Sequence, residues 1–125
     1  TVTVNCIAIG RNAMQSVTTN AVDGAIAIGY GAFTGAAGTT TGANNTIAIG
    51  KSALGALTSG ARNTAVGYET GGRTTTGADN TYIGYQAGDD TRDDSKQNTV
   101  VGSPPSPPSH LVRITWLWGI MHLLT

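Results

Sequence analysis

The chain has 125 residues, a formal net charge of zero and only 11% charged residues. That length holds at most one ordinary domain, and the sparse, balanced charge excludes the basic patch or stripe of a nucleic-acid binder. Glycine supplies 18 residues and phenylalanine one, so an ordered core must be made of small side chains buried repeatedly.

The chain opens at Thr1 without Met and shows no secretory leader, which reads as a fragment or a processed product. Its single cysteine, Cys6, excludes an internal disulfide and fits a small apolar filler. From there one phrase recurs: NCIAIG at 5–10, AIAIG at 25–29, NTIAIG at 45–50, NTAVG at 63–67, NTYIG at 80–84 and NTVVG at 98–102. The closing glycines are Gly10, Gly29, Gly50, Gly67, Gly84 and Gly102, spaced 19, 21, 17, 17 and 18 apart. Periods of this size point to a solenoid, in which each copy is the packing partner of the next.

Each phrase predicts a short strand. One residue before the glycine stand Ile9, Ile28, Ile49, Val66, Ile83 and Val101; three before it stand Ile7, Ile26, Ile47, Thr64, Thr81 and Thr99. All are β-branched, and the period of two puts both columns on one face, expected to point inward. The glycine suits a turn with positive φ or a place without room for a Cβ. Ala13, Ala32, Ala53, Thr70 and Ala87, three residues later, suit a close backbone approach. Asn5, Asn45, Asn63, Asn80 and Asn98 open the strands, where stacked amides could form a ladder. Asn5 and Asn45 lie five residues before their glycine and the other three lie four before, which suggests an extra residue or bulge. TTTGAN at 39–44, LTSGAR at 57–62 and TTTGAD at 74–79 read as corner loops.

The string N-x-[IV]-A-I-G-x-x-A, best matched by NCIAIGRNA at 5–13 and NTIAIGKSA at 45–53, resembles the head repeat of YadA-like trimeric autotransporter adhesins. NTAVGYET and NTYIGYQAG look more like the related arrays of phage tail fibres. The resemblance covers about residues 4–102. It implies an all-β, left-handed parallel β-roll or β-solenoid of about six coils of 17–21 residues, assembled as a homotrimer. It further implies an extracellular place, on a cell or virion surface, with a host-surface glycan or matrix protein as partner. The spacing here is longer than is usual for the adhesin repeat, and neither a coiled-coil stalk nor a membrane anchor is visible.

After Gly102 the composition breaks, so residues 1–102 form the repeat array and 103–125 a tail. SPPSPPSHLVRITWLWGIMHLLT holds all four prolines, both tryptophans and both histidines. One reading is a Pro-rich linker and a short apolar helix, too short to span a membrane. The other is a change of reading frame. Read one base out of frame, Trp118–Gly119 forces glycine and Met121–His122 forces alanine three positions later. The recovered glycine falls 17 positions after Gly102, a spacing already used twice.

Residues 1–102 hold no histidine, so Cys6 has no imidazole partner and no Ser-His-Asp set can form; no enzymatic activity and no cofactor are expected. The acids of 88–95 include Asp89, Asp90, Asp93 and Asp94. They are weak candidates for a Ca²⁺ site, against the simpler reading of a solvated polar loop. Tyr30, Tyr68 and Tyr85 share the position after the glycine, which predicts a partial aromatic row, either a ligand surface for sugar or protein or a packed row. The threonine runs 39–41 and 74–76 raise ice binding as a minor alternative. The leading expectation is a fibre segment mediating surface attachment, with a purely structural spacer rod as its rival.

Overall fold

A computed structural model describes residues 5–17, 22–35, 40–89, 96–103, 113–117 and 120–124. Each repeat supplies one three-residue strand: β1 (Ile7–Ile9), β2 (Ile26–Ile28), β3 (Ile47–Ile49), β4 (Thr64–Val66), β5 (Thr81–Ile83) and β6 (Thr99–Val101). The six lie side by side in chain order and all parallel, forming an all-β solenoid. The register is set glycine on glycine: Ile9 faces Ile28, Ile28 faces Ile49, Ile49 faces Val66. Differences in repeat length are therefore absorbed outside the strands.

The strands face the opposite way from the expectation. The middle residues Ala27, Ala48, Ala65 and Tyr82 are fully buried, while the β-branched residues on either side of them are half-buried or exposed. A period of two shows that the flanking columns share a face; it does not say which face has the room. Here the interior between each strand and the segment opposite is narrow, and that segment already brings Phe33 and Leu54, both fully buried, into it. Alanine is what still fits.

The glycine columns explain how the chain leaves the strand. Gly29 and Gly84 have φ of 127° and 125°, a region that favours glycine. A Cβ on Gly29 would also lie 2.8 Å from the backbone carbonyl of Gly50 in the next repeat. Both expected reasons for glycine apply at once. Beyond the glycine, alternate residues take positive φ: Ser52 57° and Leu54 49°, Glu69 51° and Gly71 60°, Gln86 51° and Gly88 74°. This alternation turns successive amides toward the neighbouring repeats. Ser52 N donates to Tyr30 O at 2.9 Å, Leu54 N to Thr70 O at 2.9 Å, and Gln86 N to Tyr68 O at 2.8 Å. A second hydrogen-bond ladder thus runs opposite the sheet, without strand geometry. Left-handed backbone is costly for Phe33 and Leu54, and full burial of each side chain offsets it by about 2–3 kcal/mol.

The asparagines divide into two columns rather than marking a bulge. Asn5 and Asn45 occupy the left-handed corner, with φ of 58° and 55°, where Arg62 and Asp79 stand in later repeats with φ of 61° and 60°. Asn63, Asn80 and Asn98 stand one residue later and build the expected ladder. Asn80 donates through N and Nδ2 to Asn63 Oδ1 at 3.0 and 3.1 Å, and Asn98 does the same to Asn80 Oδ1 at 3.0 Å each. Asn63 Nδ2 closes the lower end on Gly60 O and Gly77 O at 2.9 and 2.8 Å.

In the tail, β7 (Arg113–Leu117) and β8 (Ile120–Leu124) form an antiparallel hairpin, and β7 pairs with β6 at Thr99–Ile114. These strands replace the expected short helix. The run Ile114-Thr115-Trp116 consists of β-branched and aromatic residues that suit a pleated surface.

Candidate functional surface

Three surfaces leave the solenoid with chemistry to offer. The first is the outer face of the sheet. Its two columns hold twelve β-branched side chains and no charge: Ile7, Ile26, Ile47, Thr64, Thr81, Thr99 and Ile9, Ile28, Ile49, Val66, Ile83, Val101. Ile9 is 58% and Val101 70% exposed at the two ends. Apart from the hydroxyls of Thr64, Thr81 and Thr99 the face is apolar, and contiguous apolar surface is unusual on a monomeric soluble protein.

The second is the row just after the glycine. Tyr68 and Tyr85 stack with ring centroids 5.4 Å apart and planes within 6°. Lys51 Nζ lies 5.5 Å over the Tyr68 ring. The row expected from Tyr30, Tyr68 and Tyr85 therefore includes a cation, and both faces of Tyr68 are turned to neighbours within the row. Arg11 occupies the same column in the first repeat. Tyr30 and Tyr85 stay about half exposed.

The third is a polar groove beside that row, enclosing about 460 Å³ and crossing three repeats; its walls include Ser52, Glu69, Arg73, Gln86 and Asp89. Gln86 Nε2 donates to Glu69 Oε2 at 2.8 Å. That bond, with a second from the Tyr68 hydroxyl and the nearby Lys51 charge, holds the Glu69 carboxyl below its usual range. Accepting from Tyr68, Glu69 in turn pushes the phenol of that tyrosine up. Arg73 Nε sits 3.6 Å from Asp89 Oδ2. Gly72 also lines the groove, and a Cβ there would crowd Glu69 O at 3.1 Å and Asp89 Oδ1 at 3.3 Å. The composition hides this groove because its residues are 17 apart in sequence. The signal is the shared column two residues after the glycine, which brings Glu69 beside Gln86.

Asp89 faces Arg73, and Asp90, Asp93 and Asp94 lie outside the described residues. Among the described residues no group of three or more His, Cys, Asp or Glu gathers. Cys6 donates its thiol to Val22 O at 3.3 Å and packs against the core. Among the described residues no helix is long and apolar enough to cross a membrane. Comparison with known proteins finds no matching family model, no matching curated protein and no matching solved structure.

Proposed function

We propose that the chain is a segment of an extracellular fibre, an adhesin head or tail-fibre shaft, that mediates attachment at a cell or virion surface. Copies associate as a homotrimer of left-handed rolls through the outer sheet face. The carrying observation is that face: twelve β-branched side chains in strict register with no charge among them. A thin solenoid cannot cover such a face itself, and a symmetric partner can. The resemblance of the repeat phrase to trimeric adhesin heads supports the same reading. The tail enters as a frame-changed continuation of the repeat, and independent reads of the coding sequence from codon 95 onward test that part.

Native mass spectrometry of the full chain tests the assembly. The expected mass is three times the 12.7 kDa chain, and Ile28→Asp with Ile49→Asp returns it to the monomer. A wild-type monomer at tens of micromolar contradicts the reading. The spacer-rod alternative is favoured by the tyrosine row, whose stacked rings face one another; silence on glycan and matrix arrays supports it. Ice binding keeps one supporting observation. Thr64, Thr81 and Thr99 form an outward column in register, on the sheet rather than in the loops. Absence of thermal hysteresis removes that reading.

A further inference from the structure

We propose that the groove across the third to fifth repeats is a binding site for a linear neutral polysaccharide lying along the stack. The proposal deepens the attachment reading and rests on it for its biological sense, but not on the trimer. Three observations carry it. The groove is open and its walls come from three successive repeats, which leaves room for a chain lying along the stack. Strands in a sheet lie about 4.8 Å apart, so like positions recur along the groove at a step close to the length of one sugar ring. The walls carry both acceptors and donors: the Glu69 and Asp89 carboxylates, the Gln86 amide, the Arg73 guanidinium and the Ser52 hydroxyl. Planar groups of this kind bond two adjacent hydroxyls at once.

The electrostatics favour a neutral ligand. Two carboxylates and one guanidinium line the groove, and Arg73 is already drawn to Asp89, so an anionic chain meets net repulsion. Glu69 is preset as an acceptor by Gln86, which places two hydrogen-bonding groups from adjacent repeats side by side.

The test titrates the full chain with linear β-1,4-linked hexamers of glucose and of N-acetylglucosamine, followed by calorimetry. Saturable binding of at least one hexamer is expected. Glu69→Gln, Arg73→Ala and Gln86→Ala should each weaken it about fivefold or more, with thermal melting little changed. Lys96→Ala, outside the groove, should leave it intact. The proposal is overturned by no saturable binding, by binding that survives all three substitutions, or by binding confined to a sulphated hexamer. Mass measured on the same samples separates the two claims. A trimer without sugar binding sinks the groove and leaves the fibre; a monomer that binds sugar sinks the assembly and leaves the groove.

Discussion

The first three repeats and the last three share one strand register and solve the interior differently. In the first half the strand offers Ala27 and Ala48, and the opposite segment supplies Phe33 and Leu54. In the second half Ala65 keeps the small side chain, the next strand supplies Tyr82, fully buried, and the opposite segment recedes to Gly71 and Gly88. A Cβ on Gly71 would lie 2.8 Å from the Tyr82 ring. The corner changes with the core. Asn45 sits exposed at the left-handed position of its repeat with Thr46 buried beside it, whereas Asn63, Asn80 and Asn98 turn inward as an amide ladder. The outer face changes too, from Ile7, Ile26 and Ile47 to Thr64, Thr81 and Thr99. The lesson is that the solenoid fixes backbone register and total side-chain volume, and leaves open which wall provides the volume.

Breaking the register should have the largest effect. A methyl on Gly50 would collide with the backbone of Gly67, in a region of φ that already disfavours it. Gly50→Ala is expected to cost on the order of 3 kcal/mol or more in urea unfolding. Gly102 has a similar φ of 124° but, among the described residues, nothing within 4 Å of a Cβ, so Gly102→Ala should cost only about 1 kcal/mol. Equal losses at the two sites would mean that φ alone, and not the neighbouring repeat, selects glycine.

The two asparagine columns should separate next. Asn80→Ala removes a buried side chain that bonds repeats on both sides, and a loss of about 2–3 kcal/mol is expected. Asn45→Ala loses only a tolerated left-handed conformation at an exposed corner, for about 1 kcal/mol. A gain is available in the first half. The Thr46 hydroxyl is buried without a partner in the structure, directly below Asn63 in the ladder column. Thr46→Asn is expected to extend the ladder and stabilise by about 0.5–1 kcal/mol, read as a rise in thermal midpoint. A fall would show that the first half has no space for the amide.

Acid should act least. Asp79 is held below its usual range by the Arg62 guanidinium, which it meets through two oxygens, and Glu69 is held low by Gln86 and Tyr68. Carboxyls depressed on folding add stability above the unfolded range near about pH 4 and lose it as pH falls through their folded values. Both groups are partly exposed to solvent, so screening keeps the effect small. The thermal midpoint should be level near neutrality and dip below about pH 4, and Arg62→Ala should shallow that dip.

Much of this architecture is legible in the sequence, because a repeat states its own register. The glycine column, the six strands, the tyrosine row and half of the amide ladder follow from counting back from each glycine. The direction of the strand face does not follow. Ile28 and Ile49 look like core by residue type, and only the volume of Phe33 and Leu54 on the opposite wall, six residues on from the inward alanines, decides otherwise. The groove is hidden for a similar reason. Glu69, Arg73, Gln86 and Asp89 look like scattered loop polarity until stacking puts adjacent repeats in line. The mixed asparagine offset looks like a bulge because one residue type serves two columns.

The shared interior is the claim on which the rest depends, and a double-mutant cycle at Ala48 and Leu54 tests it most directly. Ala48→Leu should cost about 1–3 kcal/mol by overfilling a fully buried site, and Leu54→Ala about 2–5 kcal/mol by leaving a cavity. If strand and opposite segment fill one space, as Tyr82 and its glycines do, the double variant should lose clearly less than the sum. Additive losses, or an Ala48→Leu chain as stable as the wild type, would contradict the inward placement of the small residues.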